Sequence, residues 1–61
     1  MINKQKVICK YDNNNQNKFM YGLISKNQYE FNKYIIHNMW MNINKYDLKY
    51  IKRFLKDNTV F

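Results

Sequence analysis

The sequence contains no proline and no alanine, and only one residue each of glycine, cysteine, histidine, serine and threonine among 61. The single cysteine, Cys9, excludes an internal disulfide, and no group of Cys and His residues has the spacing of a metal site. The four acidic residues do not pair at a spacing that suits acid–base catalysis, and no glycine-rich phosphate loop is present. These absences predict a protein that is not an enzyme and that uses no metal or other cofactor.

Long apolar runs are also missing from the chain. The longest apolar run near its start is the three residues Val7, Ile8 and Cys9, whereas a membrane span needs about 20 apolar residues. We therefore expect a soluble, cytoplasmic protein with no membrane partner. A length of 61 residues predicts a single domain, 1–61, and a composition that is 46% hydrophobic and 18% aromatic is typical of a folded chain.

The order of the apolar and polar residues predicts an α+β domain with elements in the order ββαα. Residues 2–11 alternate imperfectly between lysines and apolar side chains, residues 12–17 are rich in asparagine, and residues 18–24 resume a strand-like pattern. These features predict an N-terminal antiparallel hairpin packed on two helices, with Gly22 marking a bulge in the second strand.

Two helices are expected after the hairpin. Ser25 and Gln28 have the spacing of a capping box, which predicts a first helix over residues 26–39. Asn44 is the predicted N-cap of a second helix over residues 45–57, with Asp47 in its first turn. The first helix carries apolar side chains on two flanks, so we expect a homodimer or a tight complex with another protein to cover part of them. The residues concerned are Phe31, Tyr34, Ile35, Ile36 and Trp40.

The second helix carries the strongest functional signal in the sequence. At about 100° per residue its basic side chains fall on one arc, opposite the apolar residues, and no acidic residue lies among them. An uncompensated row of positive charge in a chain of net charge +7 favours an anionic partner. The predicted binding residues are Lys45, Lys49, Lys52, Arg53 and Lys56, and the lysines of the hairpin form a secondary set, Lys4, Lys6, Lys10 and Lys18.

Nucleic acid, or a protein that handles it, is the partner that these residues favour. Lysines suit phosphates, and Arg53 alone is available for bidentate contacts to bases. Three ways of binding stay open, of which the first is a helix-turn-helix that places residues 45–57 in the major groove. The second is a single strand stacked on the hairpin aromatics Tyr11, Phe19 and Tyr21. The third is an amphipathic helix on anionic lipid, which a hairpin over its apolar face disfavours.

An alternative hypothesis makes the chain an inhibitor that occludes an acidic or nucleic-acid-binding groove of a larger protein. Short chains without catalytic groups and with residues of AT-rich codons are common among phage and mobile-element genes, including anti-defence inhibitors such as anti-CRISPR proteins. The sequence alone does not separate this hypothesis from nucleic-acid binding.

Overall fold

The computed structural model describes residues 3–61, which form three α-helices. They are α1 (Lys4–Met20), α2 (Lys26–Met41) and α3 (Leu48–Asn58), and each helix packs against the other two. Residues 3–61 contain no strand, so the predicted α+β class, the ββαα order and the N-terminal hairpin are wrong. The part of the chain that the structure describes is an all-α bundle measuring 32 × 20 × 17 Å.

Helix α1 replaces both predicted strands and the turn between them; residue 2, where the first strand was predicted to begin, lies outside the described residues. Val7, Ile8, Tyr11 and Asn15 recur at intervals of three and four residues and face the other helices. The asparagines at positions 13–15 and 17 have weak helix propensity and favour turns. Residues 3–20 include no glycine or proline that would break a helix, so packing of this face overrides the local preference.

Gly22 ends α1 and does not form a bulge in a strand. Its φ of +73° is left-handed, a conformation that glycine adopts without a steric penalty. The Gly22 amide donates to the Phe19 carbonyl at 3.1 Å, and the Leu23 amide donates to the Lys18 carbonyl at 2.8 Å. These two hydrogen bonds form a Schellman motif, which closes the helix and turns the chain toward α2.

The sequence predicts the start of α2 correctly and the start of α3 three residues too early. Ser25 and Gln28 form the predicted capping box, with hydrogen bonds of 2.8 and 3.1 Å between each side chain and the other residue's amide. At α3 the N-cap is Asp47 and not Asn44, because the Asp47 carboxylate accepts the Tyr50 amide at 2.7 Å. Residues 45–47 therefore precede the helix.

The apolar core lies where the three helices meet. It receives two buried side chains from each helix, and Ile51 and Leu55 of α3 are 0% exposed. Five partly buried residues surround it, including Tyr11 of α1 and Phe54 of α3. The six core residues are Val7, Ile8, Ile36, Met39, Ile51 and Leu55.

Two buried asparagines tie the C-terminal segment to α1 and α2. Asn15 and Asn32 are both 0% exposed, and the Asn32 amide nitrogen donates to the Asn15 side-chain oxygen at 3.0 Å. Asn32 also holds the backbone of Val60, donating to its carbonyl at 2.7 Å and accepting from its amide at 2.6 Å. The Asn15 amide nitrogen in turn donates to the Tyr29 carbonyl at 3.1 Å. Because these buried amides are satisfied, they fix the segment after α3.

Candidate functional site

An open groove runs between α1 and α3, and its charged side chains are all lysines. Lys6 and Lys10 come from α1, and Lys52 and Lys56 come from α3. We call this surface, with its further lining residues Tyr11, Asn13, Asn14, Asn17 and Phe61, the basic groove. All four lysines are exposed, so their ammonium groups remain hydrated and available to a ligand.

Helical spacing explains how each helix supplies its pair of lysines. Lys6 and Lys10 are four residues apart, as are Lys52 and Lys56, so each pair lies along one side of its helix. Packing of α1 against α3 then brings the two pairs to a shared groove. On α1 the row continues as amide side chains, because Asn13, Asn14 and Asn17 fall on the same side as the two lysines. These amides supply donors and acceptors beside the charges.

No aspartate or glutamate side chain among residues 3–61 lines the basic groove. Asp12 lies on the other side of α1, where it accepts a hydrogen bond from Gln16 at 3.2 Å. Asp47 caps α3, and Asp57 lies 3.9 Å from the Arg53 guanidinium. The positive charge of the four lysines is therefore not compensated by an acidic side chain of the groove.

The structure divides the predicted cationic face of the C-terminal helix. Lys52 and Lys56 line the basic groove, whereas Lys49 and Arg53 are exposed outside its lining, and Arg53 forms an exposed ion pair with Asp57. Lys45 lies in the connection between α2 and α3, where its amide donates to the Asn42 carbonyl at 3.0 Å. The sequence therefore identified a five-residue face of which two residues reach the groove.

The secondary set of lysines lies on α1 and not on a hairpin. Lys6 and Lys10 line the basic groove. Lys4 is half-buried, and its ammonium group donates to the Ile43 carbonyl at 3.3 Å, so it ties the start of α1 to the connection between α2 and α3. Lys18 is half-buried in the last turn of α1, outside the groove. All four residues were predicted as a secondary binding set, but the sequence did not predict that any of them lies next to α3.

The aromatic residues proposed for stacking are also separated by the fold. Of the three predicted residues only Tyr11 lines the basic groove. Phe19 stacks on Tyr29 with ring centroids 4.4 Å apart, and Tyr21 is the exposed C-cap of α1. Phe61, which sequence analysis did not select, lines the groove beside Tyr11, with centroids 6.2 Å apart and planes at 30°. Because Phe61 and Tyr11 are far apart in the sequence, no local pattern predicts their contact.

A second groove, between α1 and α2, shares Cys9 with the basic groove but has a different character. Its lining includes Ile8, Ile36, Tyr34 and Trp40, and we call it the apolar groove. It holds one acidic and one cationic residue, Asp12 and Lys33, together with His37.

The single chain buries only part of the apolar surface that the sequence predicts on the two flanks of α2. Ile36 is buried, but Phe31, Tyr34 and Trp40 are 48%, 67% and 42% exposed in the single chain. The polar residue Asn32 takes part of the buried face instead, which an apolar pattern does not indicate. The expected homodimer stays a prediction.

Neither a metal-ligand cluster nor a membrane-spanning helix occurs within residues 3–61. Within residues 3–61, no three His, Cys, Asp or Glu side chains come together in a way that would hold a metal ion. In the part of the chain that the structure describes, none of the helices α1, α2 and α3 has the length and apolar character needed to cross a membrane.

No protein family, curated protein or solved structure matches the chain. What the site does is therefore argued from its own geometry and charge.

Proposed function

We propose that the protein binds nucleic acid without catalysis, and that the basic groove holds the phosphate backbone. The observation that carries this proposal is the meeting of four lysines from two helices in a groove whose described lining has no aspartate or glutamate side chain. Phosphates are spaced regularly along a nucleic-acid strand, and rows of ammonium groups bind them by releasing condensed counterions. Two lysine pairs facing one groove provide such rows.

The types of side chain favour contacts to the backbone over recognition of a particular base sequence. Lysine is a point charge on a flexible stem, whereas bidentate recognition of guanine uses the planar group of arginine. The only arginine, Arg53, lies outside the groove lining and is paired with Asp57. We therefore expect affinity that depends weakly on sequence and strongly on charge.

A salt titration tests the proposal directly. A labelled oligonucleotide is titrated with the protein between about 50 and 300 mM KCl, and binding is followed by fluorescence anisotropy. Four phosphate contacts predict a slope of log affinity against log salt of about −3, since each contact contributes roughly −0.7 on a single strand and −0.9 on a duplex. Poly-glutamate of matched charge serves as the acidic-protein control.

Two results would overturn the proposal. One is the absence of binding to both DNA and RNA at the lowest salt concentration. The other is binding to poly-glutamate that equals or exceeds binding to the oligonucleotide, because the groove would then be assigned to an acidic protein surface. That outcome would favour the inhibitor hypothesis.

A further inference from the structure

The basic groove contains an aromatic surface beside its lysines. Tyr11 is half-buried on α1 and Phe61 is 38% exposed, and both side chains line the groove. Their rings are tilted by 30° with centroids 6.2 Å apart, so they lie next to each other and do not cover each other face to face. The exposed part of Phe61 remains available to a planar ligand.

Phe61 is held in this place by its neighbour in the chain. The backbone of Val60 makes two hydrogen bonds to the side chain of Asn32, at 2.7 and 2.6 Å, and Asn32 is 0% exposed. The same Asn32 amide nitrogen that donates to the Val60 carbonyl also donates to the Asn15 side-chain oxygen, at 3.0 Å, which fixes the orientation of Asn32. A ring at the end of an anchored segment loses little further freedom when a ligand stacks on it.

Lysines beside an anchored aromatic ring match the requirements of a single strand better than those of a duplex. Proteins that bind single strands combine a cationic groove for the backbone with aromatic side chains on which bases stack. In a duplex the faces of the bases are covered by their neighbours, so Phe61 would gain no partner there. Lys52 and Lys56 of α3 face the basic groove beside α1. Only the remaining part of the cationic face of α3 is therefore available to enter the major groove of a duplex.

We infer that the ligand of the basic groove is a single-stranded nucleic acid, with one base stacked on Phe61 beside Tyr11 while Lys6, Lys10, Lys52 and Lys56 hold its phosphates. This inference rests on the proposed function, and it adds the class of strand and the subsite for a base. Asn32 is a positioning residue in this arrangement, because it acts on the ligand only through the segment that carries Phe61.

The experiment compares three labelled probes of equal length at one salt concentration: a single-stranded oligonucleotide, its duplex, and an abasic strand that has the same phosphates but lacks bases. The single strand should bind most tightly. Phe61→Ala should weaken its binding by about 5- to 150-fold, the range found when one stacked aromatic is removed. The salt slope should not change, because Phe61 carries no charge. Binding of the duplex and of the abasic strand should be insensitive to this substitution.

Two further substitutions separate stacking from folding. Phe61→Trp keeps an aromatic face and should retain the affinity, whereas Phe61→Leu keeps the apolar contact with Tyr11 and should lose as much affinity as Phe61→Ala. Tyr34→Ala is the matched control, because Tyr34 is 67% exposed and lines the apolar groove. Far-UV circular dichroism of each variant checks that the helices are intact.

The possible results distinguish this inference from the proposal beneath it. Two results would overturn the inference and leave the proposed function standing, provided that binding depends on salt. In one, the affinity for the duplex equals or exceeds the affinity for the single strand. In the other, Phe61→Ala changes the affinity no more than Tyr34→Ala does. An equal loss on the abasic strand would show that Phe61 does not stack on a base. Failure of every probe to bind at low salt would overturn both.

Discussion

Two grooves flank α1, and they differ mainly in where the charges lie. The basic groove, shared with α3, has four lysines and no acidic side chain in its described lining. The apolar groove, shared with α2, has Asp12 beside Lys33 and is lined mostly by aliphatic and aromatic side chains. A net charge of +7 is therefore not spread evenly over the protein. The position of the charge, more than its total, identifies the candidate site.

Detaching α3 from the core removes one wall of the basic groove, and we expect this change to have the largest effect. Leu55→Ala should destabilise the protein by about 2–5 kcal/mol, because Leu55 is 0% exposed in the core. In a domain this small such a loss approaches the whole stability. Leu23→Ala is the matched control, since Leu23 is 67% exposed, and it should change stability by less than about 0.5 kcal/mol. Urea unfolding followed by circular dichroism measures the stability of both variants. Equal losses of stability would contradict the placement of Leu55 in the core.

Releasing the segment that carries Phe61, while the lysines stay in place, should have the next largest effect. Asn32→Leu removes the partners of the Val60 backbone and of Asn15, so we expect a loss of about 1–3 kcal/mol and weaker single-strand binding at an unchanged salt slope. Asn27→Leu, at an exposed position of the same helix, should change neither stability nor binding. Full stability and affinity in Asn32→Leu would show that the segment needs no anchor.

Adjacent positions on α1 allow a sharper test with smaller effects. Asn13 lines the basic groove, whereas Asp12 lines the apolar groove. Asn13→Asp places a carboxylate among the lysines and should weaken nucleic-acid binding several-fold, because like charges repel. Asp12→Asn changes the net charge by the same amount in the opposite direction, away from the site, and should alter affinity much less. Anisotropy titrations measure both variants, and a gain in Asp12→Asn as large as the loss in Asn13→Asp would contradict the comparison.

The smallest effect is expected on stability when groove lysines are neutralised. Lys52→Gln combined with Lys56→Gln should leave the melting temperature unchanged or slightly raised, because exposed like charges contribute little to folding and repel each other. Differential scanning calorimetry provides the measurement. A clear fall in melting temperature would show that these lysines are structural.

The helices differ in how far the sequence predicts them. The capping box at Ser25 and the amphipathic pattern of α3 are local signals, and both helices occur where these signals lie. Helix α1 was missed because its buried face includes Asn15, a polar residue whose burial depends on Asn32 seventeen residues later. A local pattern cannot show that a buried asparagine will find hydrogen-bond partners far away in the sequence. The asparagine-rich stretch of α1 was therefore predicted to be a turn.

The candidate site was predictable in its components and not in its arrangement. Lys52 and Lys56 were identified from the face of their helix, and Lys6 and Lys10 from their charge alone. Their meeting in one groove depends on the packing of α1 against α3, which requires α1 to be a helix. Phe61 entered the site through two backbone hydrogen bonds of Val60, which composition and periodicity do not reveal.

The most direct measurement compares two quadruple lysine-to-glutamine variants that carry the same net charge. Each loses four positive charges, so the formal net charge falls from +7 to +3 in both. The groove variant changes Lys6, Lys10, Lys52 and Lys56, and the control variant changes Lys26, Lys33, Lys45 and Lys49. In salt titrations with a single-stranded oligonucleotide, the groove variant should lose orders of magnitude in affinity and most of its salt slope, while the control keeps most of both. Equal losses in the two variants would show that net charge alone drives binding and would contradict the assignment of the site to the basic groove.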